Sequence, residues 1–106
     1  MNQWEIRTYA FQGAGEHPAV IVSHPLRAER KETVEVLLCT TQRAGHTPAA
    51  HEVVLNGADG LDWSTLCRCD LIYSIPRTDL TTLRGTVSIA RRRDIIRKMI
   101  ASHGWV

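Results

Sequence analysis

Leu66-Cys67-Arg68-Cys69-Asp70-Leu71-Ile72-Tyr73-Ser74-Ile75-Pro76-Arg77-Thr78 carries more of the fold than any other run in the chain. As a strand, its period of two sends Cys67, Cys69, Leu71, Tyr73 and Ile75 to one face and Arg68, Asp70 and Ser74 to the other. A guanidinium and a carboxylate then stand side by side on an accessible face. Pro76 ends the strand, because it has no N–H for a ladder and keeps Ile75 extended.

Working outward, the neighbouring segments are short and β-like. Trp4 to Phe11 alternates and reads as a strand, and residues 12–17 read as a flexible turn or loop before Pro18. Ala19-Val20-Ile21-Val22-Ser23 is a continuous apolar run dominated by β-branched residues, which fits a central buried strand. Residues 24–32 form a charged connector whose Arg27, Arg30 and Lys31 suit either solvent or a phosphate backbone. Thr33 to Thr40 is another strand, and the following loop holds Arg43 and His46. His51 to Leu55 is a short strand closed by Asn56-Gly57, and Leu83 to Ser88 is the last one. The chain then changes period. Ile89, Ile96, Met99 and Ile100 recur at helical spacing, Ser88 stands as the cap and Gly104 as the stop, so a helix is expected over 89–103. Arg91, Arg92 and Arg93 crowd its first turn, where the helix dipole already places positive charge; carboxylates of a partner, nucleic-acid phosphates or Asp94 would offset them, and an ordinary solvated face is the alternative. The expectation is mainly β with a C-terminal helix, a small SH3-like barrel rather than a βαβ fold.

A chain of 106 residues with 43% hydrophobic and 23% charged content fits one soluble domain spanning 1–106. No apolar run is long enough to cross a membrane, and the N-terminal residues lack the basic-then-apolar order of a signal peptide, so a cytoplasmic location is expected. Cys39, Cys67 and Cys69 read as buried reduced thiols, and a single Cys-x-Cys without further ligands does not make a metal site. The net charge of +2 does not by itself announce nucleic acid, although eleven of the thirteen basic residues are arginine, the better partner for phosphate.

The order of these segments resembles the MazF/PemK-like toxins of bacterial toxin-antitoxin pairs. The resemblance rests on Gly15 to Ser23, the strand ending Cys39-Thr40, the triplet Arg68-Cys69-Asp70 with Pro76-Arg77-Thr78 behind it, and the closing helix. It implies an SH3-like barrel, a homodimer, a cognate antitoxin and metal-free, cofactor-free cleavage of single-stranded RNA. Arg68 and Asp70 fall on the catalytic pair of the PemK branch. Thr40 falls on the threonine of the MazF branch, and His17 stands before Pro18 where that branch carries arginine. Leu71 to Ile75 separates two elements that are almost adjacent in the family. A second resemblance, to the CcdB group of DNA gyrase poisons, rests on Gln3 to Tyr9, Asp70 to Pro76 and the ending Gly104-Trp105-Val106. It implies a non-catalytic barrel with Trp105 and Gly104 at the partner interface.

RNA cleavage of this kind needs a base for the 2′-hydroxyl, positive hydrogen bonding for the phosphorane and an acid for the 5′-oxygen. Asp70 is the expected base, Arg68 the phosphate holder, and His17 the preferred acid ahead of His46 and His51, with Thr40 beside them. Arg43, His46, Arg77 and Arg27 are the expected RNA contacts.

Overall fold

Alternating apolar segments pair here into one antiparallel sheet. The computed structural model describes residues 1–105. The strands are β1 (Glu5–Phe11), β2 (Gly15–Ile21), β3 (Thr33–Thr41), β4 (Glu52–Leu55), β5 (Thr65–Pro76) and β6 (Leu83–Thr86), in the order β4-β5-β3-β2-β1-β6. A short helix α1 (Pro25–Arg30) follows β2, and α2 (Ile89–His103) closes the chain over the expected residues. The sheet curls into a half-barrel, which meets the expectation of a small SH3-like β fold. No helix among the described residues is long and apolar enough to cross a membrane.

Apolar side chains collect on both faces of the sheet. Ile6, Val20, Leu37, Cys39, Cys67 and Cys69 pack beneath α2 against Val87 and Ile95. Phe11, Ala19, Ile21, Val34, Val36 and Leu38 form a second cluster with Ile75 and Leu80. Odd and even positions of β3 thus feed different cores, as a strand covered on both sides requires.

Three local expectations change. The loop at residues 12–17 is shorter, because Gly13 and Gly15 adopt φ of 81° and 83° and reverse the chain early enough for His17 to pair with Tyr9. Part of the charged connector is α1, capped by His24 Nδ1, which accepts from the Leu26 N–H with Pro25 in the first turn. Six residues are too few to show a helical period. The alternation of β5 also breaks. Leu37 pairs with Ile72 and Cys39 with Cys67, so Leu38 alone on β3 faces four residues, Arg68 to Leu71, on β5. The excess inverts the strand's phase. Cys67 and Cys69 lie in the core under α2, Tyr73 and Ile75 belong to the opposite cluster, and Leu71 is 44% exposed.

The two ends of the curled sheet meet at Asp59, which lies in the turn after β4. Its buried carboxylate accepts from the N–H of Asn56 at 2.9 Å and of Ser88 at 2.9 Å, and pairs with Arg91 at 3.2 Å. Its carbonyl lies so close to β6 that a Cβ on Gly85 would come within 2.0 Å of it. Ser88 therefore serves the start of α2 through its backbone, and its hydroxyl makes no cap bond. Of the three first-turn arginines, Arg91 finds its carboxylate in Asp59, inside the chain, rather than in Asp94 or a partner. Arg91 also donates to the Val54 carbonyl and Lys98 to that of Glu52 at 2.6 Å, so α2 is tied to β4 along its length. Arg92 donates to the Val87 carbonyl at 2.8 Å and lies 6.0 Å from the Trp4 ring centre. At the far end, Gly104 takes φ 70° and ends the helix as expected.

Candidate active site

Facing residues of paired strands point to the same side of a sheet, and so do alternate residues of one strand. Thr40 faces Leu66, and Arg68 faces Glu52. Leu66, Arg68 and Asp70 alternate along β5 before its phase inverts. Thr40, Leu66, Arg68, Glu52 and Asp70 therefore share the face opposite α2, and His17 joins them from β2.

A cavity of about 440 Å³ opens on this face, lined by His17, Thr40, Thr41, Arg43, His46, Glu52 and Leu66. It gathers one expected catalytic histidine, the expected threonine and two expected RNA contacts. Each is held by local bonding. His17 Nε2 lies 2.9 Å from the Ala14 carbonyl in the β1–β2 turn, so the ring donates through Nε2. Gln42 fastens the next loop, its side-chain amide donating to the His46 carbonyl at 3.1 Å while its backbone N–H donates to the Ser64 carbonyl at 3.0 Å. The carboxylate of Glu52 accepts from the Ala49 N–H at 2.8 Å and faces His46 Nε2 at 3.5 Å. The Ala49 bond, with help from His46 against the effect of burial, holds the Glu52 carboxyl below the usual carboxylate range. Glu52 is the site residue that sequence reasoning missed. Its signal was the short strand that places its side chain on the same face as Arg68.

Arg68 and Asp70 stand farther along β5. Arg68 donates through Nε to Oδ1 at 3.3 Å and through Nη2 to Oδ2 at 3.0 Å, a two-pronged pair as the alternation predicted. Those bonds outweigh burial and hold the Asp70 carboxyl below its ordinary range. Asp70 lines a different cavity, of about 360 Å³, with Ala50, His51, Ala101 and Ser102. His51 Nε2 is 3.9 Å from Oδ1 of Asp70. The expected set is thus divided: His17 and Thr40 share one cavity, Asp70 has His51 as its histidine, and Arg68 lies between.

Arg27 and Arg77 are placed elsewhere. Arg27 grips both oxygens of Glu35 at 2.9 Å and donates to the Thr33 carbonyl at 3.1 Å. Arg77 donates to the carbonyls of Lys31 at 2.7 Å and of Arg27 at 3.1 Å, and also to Ala28, tying down the end of α1. Both sit at the Thr33 end of β3, seven residues or roughly 23 Å of strand from Thr40. Their guanidinium groups are engaged within the fold, away from the cavity that holds His17 and Thr40. Trp105 is exposed and stacks on His103 with ring centres 4.7 Å apart. Val106, which completed the CcdB-like ending, lies outside the described residues. The three cysteines are buried free thiols, as expected. Cys67 is pushed well up by its bond to Cys39, and Cys69 is raised by its bond to Cys67 and by burial.

Over residues 2–102 the chain matches the sequence profile of the PemK-like, MazF-like toxins of type II toxin-antitoxin systems. Among solved structures it is similar to an endoribonuclease in complex with its cognate antitoxin from a Mycobacterial species. The identity is 21% and the TM-score 0.85, over 100% of this chain and 97% of that one. It is also similar to Mycobacterium tuberculosis toxin MazF-mt6, with 20% identity and TM-score 0.80 over 94% of this chain and 96% of that one. A MazE-MazF complex from Deinococcus radiodurans aligns at 16% identity and TM-score 0.74, over 95% of this chain and 92% of that one. No curated protein matches in sequence. The gyrase-poison alternative built on Trp105 and Gly104 draws no support from these matches.

Proposed function

Because the chain belongs to the PemK-like, MazF-like toxins of type II toxin-antitoxin systems, we propose that it is an endoribonuclease that cuts single-stranded RNA without a metal, leaving 2′,3′-cyclic phosphate ends. The observation that carries this reading is the single cavity shared by His17, Thr40, Arg43 and His46. Two imidazoles, a guanidinium and a hydroxyl are the groups that in-line attack of a 2′-oxygen on its own phosphate requires.

His17, expected as the acid, is reassigned as the base, because its Nε2–H is committed to Ala14 and its Nδ1 is left to accept the 2′-hydroxyl proton. His46 acts as the acid for the 5′-oxygen, with Glu52 balancing the charge of its protonated ring. Arg43 and Thr40 take the phosphorane oxygens. Asp70, expected as the base, is reassigned to substrate binding, since Arg68 stabilises its ionised form and makes it a poor proton acceptor at neutral pH. Arg68 holds a phosphate beside the cleavage point. The toxin works in the cytoplasm as a homodimer and is blocked by a cognate antitoxin. The exposed Ile89 and Ile96 on α2 support an associating surface.

Purified protein is incubated with single-stranded RNAs of varied sequence in EDTA, and the ends are analysed. Cyclic phosphate and 5′-hydroxyl ends are expected. Intact RNA across all sequences, or cleavage only after a divalent metal is restored, overturns the reading.

A further inference from the structure

The cavity beside Asp70 is not used by the chemistry proposed above; it lies at the margin of β5, where the side chain of Asp70 meets Ala101 and Ser102 of α2. Four residue steps along β5, roughly 13 Å, lead from Leu66 in the first cavity to Asp70 in the second. Arg68 stands midway between them. Its Nε and Nη2 are engaged by Asp70, and among the described residues its Nη1 has no partner. An RNA strand leaving the first cavity along β5 meets this guanidinium and then the second cavity.

The lining of the second cavity is selective. Ala50 and Ala101 contribute methyl groups that suit the face of a flat ring. The carboxylate of Asp70 presents acceptor lone pairs that Arg68 does not occupy, and it repels a second phosphate. Ser102 donates its hydroxyl proton to the Cys69 carbonyl at 3.2 Å and so offers the cavity an acceptor oxygen as well. His51 closes the rim beside Asp70. A flat, uncharged ring with an N–H donor on its edge fits this set.

We infer that Ala50, His51, Asp70, Ala101 and Ser102 form a nucleobase subsite that selects a base carrying an exocyclic amine over uracil at one position flanking the cleavage point. This subsite rests on the endoribonuclease reading. Uracil is disfavoured because its N3–H is flanked by carbonyl oxygens that face the carboxylate. The exocyclic amine of adenine, cytosine or guanine donates to it directly, as single-stranded RNA readers commonly exploit.

The test is cleavage of a randomised RNA pool, with the cut sites sequenced, by the native protein, Asp70→Asn and Ala101→Leu. Asparagine keeps the shape and replaces one acceptor oxygen with a donor. The native protein is expected to favour amino-bearing bases at one flanking position by about tenfold, the worth of one charge-assisted hydrogen bond. Asp70→Asn should erase or reverse that preference at this position alone. Ala101→Leu, a change at an exposed helix position, should fill the cavity and flatten the preference without altering any charge. Unchanged preferences in both variants overturn the subsite. So does uniform loss of cleavage at every sequence in a folded Asp70→Asn protein, which would make Asp70 part of the chemistry. If the native protein cuts no RNA, the endoribonuclease reading itself fails and the subsite with it, a result distinct from cleavage without base preference.

Discussion

Replacing Asp59 with alanine removes the group that joins the two ends of the sheet. The backbone N–H groups of Asn56 and Ser88 lose their acceptor, and Arg91 loses its carboxylate partner. A buried donor left unpaired costs about 1–3 kcal/mol, and a broken ion pair with a buried member adds to that. Arg91 retains solvent access and its bond to the Val54 carbonyl, which discounts the ionic part. The expected loss is about 3–5 kcal/mol, a large part of the ~5–15 kcal/mol that holds a domain folded. Urea denaturation followed by circular dichroism at pH 7 measures it directly. Asp59→Asn, which keeps one acceptor oxygen, should lose about 1–2 kcal/mol. If Asp59→Ala lowers stability by less than about 1 kcal/mol, the carboxylate does not join the sheet ends and the reasoning is refuted.

Gly85→Ala drives a methyl group into the Asp59 carbonyl, so β6 must move; a loss of about 2 kcal/mol or more is expected from the same urea assay, and a neutral change contradicts the close approach. His46→Ala should lower the rate of RNA cleavage by about 10²–10⁴-fold with little change in KM, as single-turnover kinetics will show; an unaltered rate removes His46 from the chemistry. Stability should fall in acid. The carboxyls of Glu52 and Asp70 are held low by the Ala49 N–H and by Arg68, respectively; in Glu5 and Glu35 burial pushes upward, and it is outweighed by Arg7 and Asn2 acting together on Glu5 and by Arg27, Ser23 and Ser74 acting together on Glu35. With folded values below unfolded ones, this contribution is complete above about pH 5 and is lost as pH falls through the depressed range. A urea midpoint that does not drop between pH 6 and pH 3 counts against these pairings.

Most of the architecture was legible because it follows from local chemistry. The helix over 89–103 announced itself by its spacing and by Gly104, and the Arg68–Asp70 pair by a period of two. The failures share a cause, which is contact between residues distant in sequence. The phase of β5 inverts because of what β3 presents opposite it, and no count along β5 alone reveals that. Arg27 and Arg77 looked like free cations until Glu35 and the carbonyls ending α1 took their donors. Glu52 was read only as part of a strand, and the loop that brings His46 and Ala49 onto its carboxylate lies outside any periodic pattern. Asp70 illustrates the same limit from the chemical side, for its neighbour was foreseen and its separation from His17 was not.

The bonds from α2 to β4 bear on self-association. An outermost strand ordinarily offers a row of free backbone acceptors to any passing extended chain, which is how ordered aggregates are templated. Here Lys98 and Arg91 occupy the carbonyls of Glu52 and Val54, so a foreign segment must displace two cations before it can extend the sheet on that side. The helix therefore acts as a guard rail for the open margin of the half-barrel, and its arginine-rich start is as much a solubility device as a structural one.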